Sequence, residues 1–461
     1  MLKSFPSPTP EHWRELARKA LKDRPLEGLV HLDLDGLAVR PLYAAATGAS
    51  PLSAPRASDA DGRAWDLRAL VEGDQAAEVN ATVLAELQGG AASVVLKGAV
   101  LADSAPLARA LEGVALELAP VGLDAGLDGP DAANALAVAA KGAPRAQLMF
   151  HLDPVSAFAA AGASPRAMDA HLTLAANTAA RHAGAYPDAA FFLASGRVVQ
   201  EAGGSIGQEL GFACANAVAL LRAAEQAGLS RERAVAGLIL GVAVDQAWLD
   251  GIAKIRALRL MWATIARALA VEAPARIEVR SSRRMLTARD PWSNPLRLTA
   301  AGFAGAVGGA DAMVLDGFTR AQGLPDAFAL RQARNAQLVL MEEAHLGRVD
   351  DPAAGSWFLD HRTRELAEAG WREFQMIEAE GGLVAALRHD LIQPRVARAR
   401  AQAEAALAEG TAQVVGVTRF VDPAPRATAT TPARESAIAG GGDACTPLTP
   451  HRLAAGLEEA A

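Results

Sequence analysis

The sequence predicts an α/β fold, a (βα)8 barrel, on two observations. From Trp65 onward, helical segments alternate with short apolar runs that end in Gly, Ser, Asp or Arg. Continuous apolar strands between helices are typical of parallel strands buried on both faces. Over about 300 residues no Gly-rich phosphate turn follows the first strand, which favours a barrel over a dinucleotide-binding fold.

An arm is predicted before the barrel, at residues 1–63. Thr9 caps its first helix and Pro10 suits the first helical position. One face of this helix is apolar, with Trp13, Leu16, Ala17, Ala20 and Leu21. Residues 31–40 alternate around Asp35-Gly36, which indicates a hairpin. Residues 44–63 are rich in Pro, Ser, Gly and Ala and predict a loose linker.

The barrel is predicted to occupy residues 64–382. Its assigned strands are residues 93–97, 147–151, 190–195, 276–280 and 312–316. Since a barrel of this class has eight strands, closure at eight is inferred from the fold class. Residues 254–259 are interpreted as an amphipathic helix with a solvated basic side.

A helical extension and linker are predicted after the barrel, at residues 383–461. Residues 383–410 have a helical pattern, and 412–419 resemble a short strand. Residues 421–450 are rich in Pro, Thr, Ala and Gly, which is linker composition. The tail from 451 to 461 is helix-like.

Composition limits the class of protein. The chain has 461 residues, a net charge of −7 and only two cysteines, Cys214 and Cys445, far apart. A mildly acidic chain is a poor nucleic-acid binder, and this cysteine usage gives no disulfide framework. The N-terminus has no apolar segment of signal-peptide length, and no run reaches the roughly 18 residues of a membrane span. We therefore expect a cytoplasmic protein that binds neither nucleic acid nor membranes.

Several blocks, in order and in register, resemble one family. They are GLAVRPLY at 36–43, AKIRALRLMW at 253–262, SRRMLTARDPWSN at 282–294, GLPDAF at 323–328, ARNAQ at 333–337, DPAAGS at 351–356 and VVGV at 414–417. Together they resemble the methylmalonyl-CoA mutase family from about residue 10 to 420. The Arg-Arg-Met-Leu-Thr form at 283–287 and the N-terminal arm resemble its small, non-catalytic (beta) subunit.

The resemblance implies a reaction and a cofactor. Mutases of this family rearrange a branched acyl-CoA, such as methylmalonyl-CoA, into a linear one, such as succinyl-CoA. Adenosylcobalamin supplies the radical chemistry. The acyl-CoA lies along the barrel axis and cobalamin at the barrel mouth, and a C-terminal domain carries an Asp-x-His-x-x-Gly motif. None of the nine histidines here fits that motif, so we expect the cobalamin-binding domain to be absent.

The sequence departs from the family at its catalytic block. The family's Ser-Gly-Tyr-His-Met-Gln-Glu-Ala-Gly is here Ser-Gly-Arg-Val-Val-Gln-Glu-Ala-Gly, at 195–203. Arg197 and Val198 stand where the family has its Tyr-His pair. The family's histidine donates a hydrogen bond to the thioester carbonyl, and valine cannot donate one. We therefore expect no catalytic residue in this chain.

Four further substrate- or cofactor-facing positions are altered. Gly237 stands where the family has an anchoring arginine, and Ile239 replaces a polar neighbour. Arg283 replaces a glycine near the cofactor, and Arg320 replaces a glutamate that faces its nucleoside part. The changes remove one anchor and two cofactor contacts.

Charged residues at the predicted strand ends leave two interpretations open. They are Lys97, His151, Asp153, Arg197, Arg280, Arg283, Asp316 and Arg320, and barrel active sites lie at that rim. They could bind a CoA phosphate or an acyl carboxylate. The favoured interpretation is that the cations pair with carboxylates and fill an emptied barrel. His151 and Asp153 could suggest a metal pair, but a third ligand is missing, so a structural role and no metal site are predicted.

The sequence therefore predicts the small subunit of an adenosylcobalamin-dependent mutase. Its partner in a heterodimer would be the catalytic large subunit, which would bind the cofactor, with acyl-CoA reaching only the complex. Two alternatives stay open. One is the barrel subunit of a split mutase that works with a separate cobalamin-domain chain. The other is an acyl-CoA-binding module.

Overall fold

The computed structural model describes residues 9–22, 24–44, 52–56, 62–143, 145–432 and 440–459. The predicted arm begins with helix α1 (Pro10–Leu21), capped by Thr9, whose side chain accepts the backbone N–H of His12 at 3.2 Å. None of the α1 residues is buried. The predicted hairpin is confirmed by strands β1 (His31–Leu32) and β2 (Ala38–Val39), which pair antiparallel. Residues 45–51 and 57–61 of the predicted loose segment lie outside the described residues.

Eight parallel strands close a barrel, as the fold class predicted. They are β3 (Asp66–Glu72), β4 (Ser93–Lys97), β5 (Val121–Leu123), β6 (Leu148–Leu152), β7 (Ala190–Ser195), β8 (Leu238–Val244), β9 (Ile277–Ser281) and β10 (Ala312–Val314). The strands follow one another around the barrel in chain order, and β10 pairs with β3 to close it. Strands three or four places apart in this order therefore face each other across the axis.

The five assigned strands are confirmed, and three strands were not assigned. Strand β3 carries charged residues, Asp66, Arg68 and Glu72, at alternating positions, which interrupt the apolar run that marks a buried parallel strand. Strand β5 has only three residues. Strand β8 is apolar throughout, but only Gly237 separates it from α9, so no polar turn marks its start.

Helices surround the barrel and bury its outer face. They are α2 (Ala76–Gln88), α3 (Ser104–Ala110), α4 (Gly129–Ala139), α5 (Pro154–Ala161), α6 (Met168–His182), α7 (Arg197–Glu201), α8 (Ile206–Gln226), α9 (Arg231–Ala236), α10 (Trp248–Ala268), α11 (Asn294–Gly308), α12 (Ala327–Leu338) and α13 (Trp357–Ala379). The main core, which includes Leu96, Phe191, Leu240 and Ile255, lies between strands and helices. A π-helical turn, Val339–Glu343, follows α12.

The predicted solvated basic side of 254–259 is wrong. Lys254, Arg256 and Arg259 are 3%, 0% and 7% exposed. Each pairs with a carboxylate from a distant segment: Lys254 with Glu209 at 2.6 Å, Arg256 with Asp360 at 3.0 Å, and Arg259 with Asp311 at 2.8 Å. Basic residues in one helix do not reveal from sequence alone whether acidic partners cover them.

The C-terminal segment folds against the barrel. Helices α14 (Leu383–Arg388) and α15 (Gln393–Ala408) confirm the helical pattern, and a second apolar cluster lies beneath them. The strand predicted at 412–419 is wrong: Val417 and Thr418 N–H both donate to the Val414 carbonyl, which makes a turn. Beyond it, β12 (Thr430–Thr431) pairs with β11 (Leu324–Pro325), and helix α16 covers Ala455–Glu459 of the predicted helical tail.

Candidate active site at the barrel mouth

The mouth is the rim formed by the carboxyl ends of the eight strands, where barrel active sites lie. Lys97 ends β4, and Arg280 is the fourth residue of β9. Arg197, Arg283 and Arg320 follow β7, β9 and β10. The structure therefore brings these predicted residues to one end of the barrel.

An ionic chain runs along one side of the mouth, and we call it the rim chain. Glu72 accepts from Lys97 at 3.2 Å and from Arg320 at 3.0 Å. Asp316 then accepts from Arg320 at 2.8 Å and from Arg283 at 2.9 Å. Burial alone would raise the pKa of Asp316, but these two guanidinium groups hold it below its ordinary value. Alternating charges therefore fill this side of the rim.

Two salt bridges lie inside the barrel: one joins opposite strands, and the other joins β3 to β9, which are two places apart in the barrel order. Arg280 on β9 donates to Asp124, which follows β5, at 2.7 Å, and these two strands are diametrically opposite in the barrel order. Arg68 on β3 donates to Glu278 on β9 at 2.5 Å. We call these two contacts the axial bridges. Since His151 on β6 lies 3.9 Å from the same Glu278 carboxylate, Glu278 is approached from opposite sides and lies near the axis.

The carboxylates of the axial bridges stay ionised. Burial would raise their pKa values, but the arginines outweigh it and hold the pKa of Glu278 well below its ordinary value. The pKa of Asp124 is likewise lowered by Arg280 and Lys97 against burial. Side chains of Arg68 and Glu278 are 5% and 0% exposed. A buried, mutually paired set of this kind is costly to break at one member.

Two small apolar clusters also lie among the barrel strands. Ile239 is buried in a small cluster with Met149, Ala190 and Leu193, from β6, β7 and β8. A second small cluster contains Leu70, Val95 and Val314. The altered position Ile239 therefore contributes to packing inside the barrel.

Gly237 lies at the other end of the barrel, before the first residue of β8. Its carbonyl accepts the N–H groups of Phe191 and Phe192, at 2.7 and 3.0 Å. A Cβ here would lie 2.5 Å from the Phe191 ring, closer than packed atoms allow. Any side chain at this position would have to displace Phe191, and the structure does not bring Gly237 to the mouth.

Arg197 and Val198 have different surroundings. Arg197 Nε donates to Ser195 Oγ at 3.0 Å, and no carboxylate of the described residues forms a salt bridge with it. Val198 packs against the apolar cluster under α14 and α15. Neither residue supplies a general acid where the family pattern has Tyr-His.

Asp153 caps a helix, and His151 is a buried ring. Asp153 caps α5 by accepting the Ser156 N–H at 3.1 Å, and it also accepts from Asn216 Nδ2 at 2.8 Å. Burial lowers the pKa of His151 to about 3, so its ring is neutral near pH 7. The described residues contain no group of three or more His, Cys, Asp or Glu that could hold a metal.

Residues that match the family hold the loop that carries Arg283. The Glu201 carboxylate accepts the backbone N–H of Arg283 at 3.0 Å and of Arg284 at 3.2 Å. Gln200 accepts from Ser282 Oγ at 2.9 Å. The tail adds two contacts to the same region, since Leu453 N–H donates to Arg284 and Glu458 accepts the Ala288 N–H. The matched Gln-Glu pair thus positions the rim backbone.

Sequence reasoning missed Arg68, Glu72, Asp124 and Glu278, which complete the ionic groups of the mouth and interior. A usable signal was the spacing Glu278-Val-Arg280, since residues two apart on a strand point to the same face. The pairing partners are 210 and 156 residues apart in the chain, so no local pattern links them.

An apolar groove lies away from the mouth. Its volume is about 340 Å³, and residues of α8, α9, α10 and α13 line it, among them Leu221, Trp371 and Phe374. Within the residues that the structure describes, no helix is long and apolar enough to cross a membrane.

Comparison with known proteins gives one family. The family model described as methylmalonyl-CoA mutase matches residues 91–438. A methylmalonyl-CoA mutase small subunit of Streptomyces virginiae is 38% identical over 442 residues, which cover 90% of this chain and 71% of that protein. The small subunit of Propionibacterium freudenreichii subsp. shermanii is 31% identical, covering 90% and 69%.

Other relatives agree at lower coverage. A probable methylmalonyl-CoA mutase small subunit of Mycobacterium tuberculosis is 35% identical, covering 82% of this chain and 63% of that protein. A large subunit of Streptomyces virginiae is 31% identical over 230 residues, which is 49% of this chain. The chain thus spans 63–71% of the length of the small-subunit relatives named here.

Proposed function

The chain belongs to the methylmalonyl-CoA mutase family, an isomerase family, and we propose that it is the structural, non-catalytic small subunit of such an enzyme. The relatives that match most of its length carry the small-subunit name. The name implies a large-subunit partner, and a relative so named also matches part of this chain. The catalytic role then belongs to that partner.

The observation that carries the proposal is the Arg280–Asp124 bridge at 2.7 Å. It joins opposite sides of the barrel, so it occupies the axis along which the family resemblance places the acyl-CoA. The Arg68–Glu278 bridge occupies the interior as well. For a CoA ester to thread this barrel, the Arg280–Asp124 pair and the buried Arg68–Glu278 pair would both have to open. Removing one partner of a fully buried pair costs about 3–5 kcal/mol, and the Arg280–Asp124 pair contributes less because Asp124 is 34% exposed.

The mouth does not fit cobalamin. Mutases of this family are generally adenosylcobalamin-dependent, and the cofactor's radical chemistry needs an open, rigid face. Here Arg283 and Arg320 converge on Asp316 with contacts of 2.9 and 2.8 Å. This geometry supports the proposal that the large subunit binds the cofactor and that acyl-CoA meets it there. No step of the reaction is assigned to residues of this chain.

The two alternative functions require a different interior. A split mutase and an acyl-CoA-binding module both need an open axial route, and the axial bridges give neither of them support. A hydrogen-bond donor for the thioester is also missing at Val198, whose side chain packs in an apolar cluster.

The test is a mixing experiment with the purified large subunit. The chain alone, given adenosylcobalamin and methylmalonyl-CoA, is expected to form no succinyl-CoA. Mixed with the large subunit, it should form a heterodimer by light scattering, and the complex should turn over. Val198→Ala in this chain is the matched control and should leave turnover of the complex within about twofold, since a twofold change is only about 0.4 kcal/mol. Turnover by the chain alone, or a chain that stays monomeric beside the large subunit, would contradict the proposal.

A further inference from the structure

Helix α1 has an apolar face that no described residue covers. At about 100° per residue, Trp13, Leu16 and Ala20 fall on one side of the helix, with Ala17 and Leu21 beside them. None of the α1 residues is buried, and Leu16 is 52% exposed. Isolated helices shorter than about 12–15 residues are marginal in water, and α1 has 12. This face therefore needs another surface to pack against.

The apolar groove of α8, α9, α10 and α13 is a concave surface of matching length. Its volume is about 340 Å³, and apolar side chains line it, among them Leu221, Ile265, Trp371 and Phe374. On the α13 wall, Trp371 and Glu378 are two turns apart, which is about 10 Å along the helix axis. Trp13 and Ala20 have the same spacing on α1, so the apolar face of α1 is as long as this wall.

We infer that α1 of one copy of this chain binds in the groove of a second copy, with Trp13 and Leu16 against its apolar walls. An amphipathic helix that lays residues i, i+3 and i+7 into an apolar groove is a recurring mode of recognition. Trp13, Leu16 and Ala20 have that spacing. Two copies that exchange their α1 helices form a closed dimer with two-fold symmetry.

The charges of the two surfaces are complementary. Arg14 and Lys19 flank the apolar face of α1, one on each side, and only Arg14 has a described partner, the exposed Glu11 of the same helix. The groove carries Glu225 on α8 and a second glutamate on α13. Both bonds from Arg231 to Glu225 go to Oε1, at 3.1 and 2.8 Å, so Oε2 can accept from a cation of α1.

The occupant is a second copy because the arm of each chain is held away from its own groove. The hairpin that follows α1 is fixed at the N-terminal end of α8, where Asp35 accepts from Ser205 Oγ at 2.5 Å and from the Gly207 N–H at 3.0 Å. The groove uses the other half of α8, from Val218 to Glu225, and no described α1 residue lines it. Docking in its own groove would require α1 to leave its place in the structure.

Analytical ultracentrifugation of the full chain alone tests the dimer. We expect a share of dimers that rises with the concentration of the chain. Trp13→Ala should weaken the dimer about tenfold or more, as the loss of a buried aromatic anchor does in other interfaces. Ala268→Glu places a charge at an exposed position of the groove and should also weaken it. Glu15→Ala, on the opposite face of α1, is the matched control and should dimerise as the unmodified chain does.

Cross-linking identifies the occupant of the groove. Chains with Leu16→Cys are mixed with chains with Ala268→Cys and treated with a short bismaleimide, and Cys445→Ser in every chain removes the partly exposed natural thiol. We expect cross-linked dimers that contain one chain of each kind. Leu118→Cys, at a position that is 84% exposed and outside the groove, is the control and should give none with the Leu16→Cys chain.

Three results would overturn the inference. They are a chain that stays monomeric at every concentration, a dimer that Trp13→Ala and Ala268→Glu leave as tight as the control, and a mixture without cross-linked dimers. A cross-linked monomer from one chain that carries both Leu16→Cys and Ala268→Cys would then place α1 in its own groove. The inference goes beyond the proposed function, since it concerns this chain without the large subunit, and neither turnover nor the heterodimer enters its test.

Discussion

Helix α10 and the barrel mouth both pair arginines with carboxylates, but the mouth arginines Arg283 and Arg320 stand where the family has other residues. In α10, Arg256 pairs with Asp351 and Asp360 and joins the helix to distant loops. At the mouth, Arg283 and Arg320 pair with Asp316 at positions where the family resemblance places a glycine and a glutamate. The same chemistry therefore serves the scaffold in one region and occupies ligand space in the other.

This comparison indicates which charged residues of a barrel can be substituted without loss of the fold. Loss of a scaffold pair removes contacts between elements, and among the described residues Arg256 provides the contact of α10 with both Asp351 and Asp360. A mouth that binds no substrate can replace ligand contacts by ion pairs among its own residues. Variants in both regions test this contrast.

Arg256→Met should have the largest effect. It leaves Asp351 and Asp360 buried without their cation, and breaking such a set by removing one member costs about 3–5 kcal/mol. Urea unfolding measures the free energy of unfolding. Arg231→Met on the surface is the control, with a change within about 0.5 kcal/mol. Equal free energies of unfolding for the two variants would show that the ion pairs of Arg256 do not stabilise the fold.

Arg68→Leu should have the next effect, a loss of about 2–4 kcal/mol. Glu278 keeps Arg280 as a partner at 2.8 Å, so the loss should be smaller than for Arg256→Met. The same urea experiment measures it, with Arg68→Lys as the conservative comparison. A loss below that of the surface control would show that the axial bridge does not hold the barrel.

Asp316 should make the free energy of unfolding depend on pH. Its folded pKa lies below the ordinary 3.8, so the folded chain binds fewer protons there than the unfolded chain. This contribution is fully present above the ordinary value and is lost as pH falls from it through the folded pKa. Unfolding free energy measured from pH 6 down to pH 3 should fall less steeply in Asp316→Asn than in the unmodified chain. Parallel curves would contradict the pairing of Asp316.

Arg283→Gly should have the smallest effect, about 1 kcal/mol or less, because its side chain is 39% exposed. Its loop is also held through the backbone by Glu201. Thermal unfolding measures stability, and an assay of the complex with the large subunit measures turnover, which should not change. A large loss of turnover would show that this mouth takes part in the reaction.

Much of the scaffold could be predicted from the sequence. Residues 93–97 and 190–195 were assigned with the bounds that β4 and β7 have, because both are continuous apolar runs. Strand β3 was missed because its alternating charges face partners inside the barrel. The burial of Lys254, Arg256 and Arg259 was missed for a related reason, since Glu209, Asp311 and Asp360 reach them only in the folded chain.

The candidate site could be predicted in part. The family resemblance pointed to Arg197, Arg283 and Arg320, and the fold brings them to the mouth. The salt bridge across the barrel axis could not be predicted, because Arg280 and Asp124 are 156 residues apart in the chain and meet only when the barrel is closed. Gly237 was predicted beside substrate, but packing against Phe191 fixes its surroundings.

The most direct test is the cobalamin content of the purified heterodimer with the large subunit, measured by absorbance after reconstitution with excess adenosylcobalamin. The account predicts one cobalamin per heterodimer, since Arg283, Asp316 and Arg320 fill the mouth of this chain. Two cobalamins per heterodimer, or one bound by this chain alone, would contradict it.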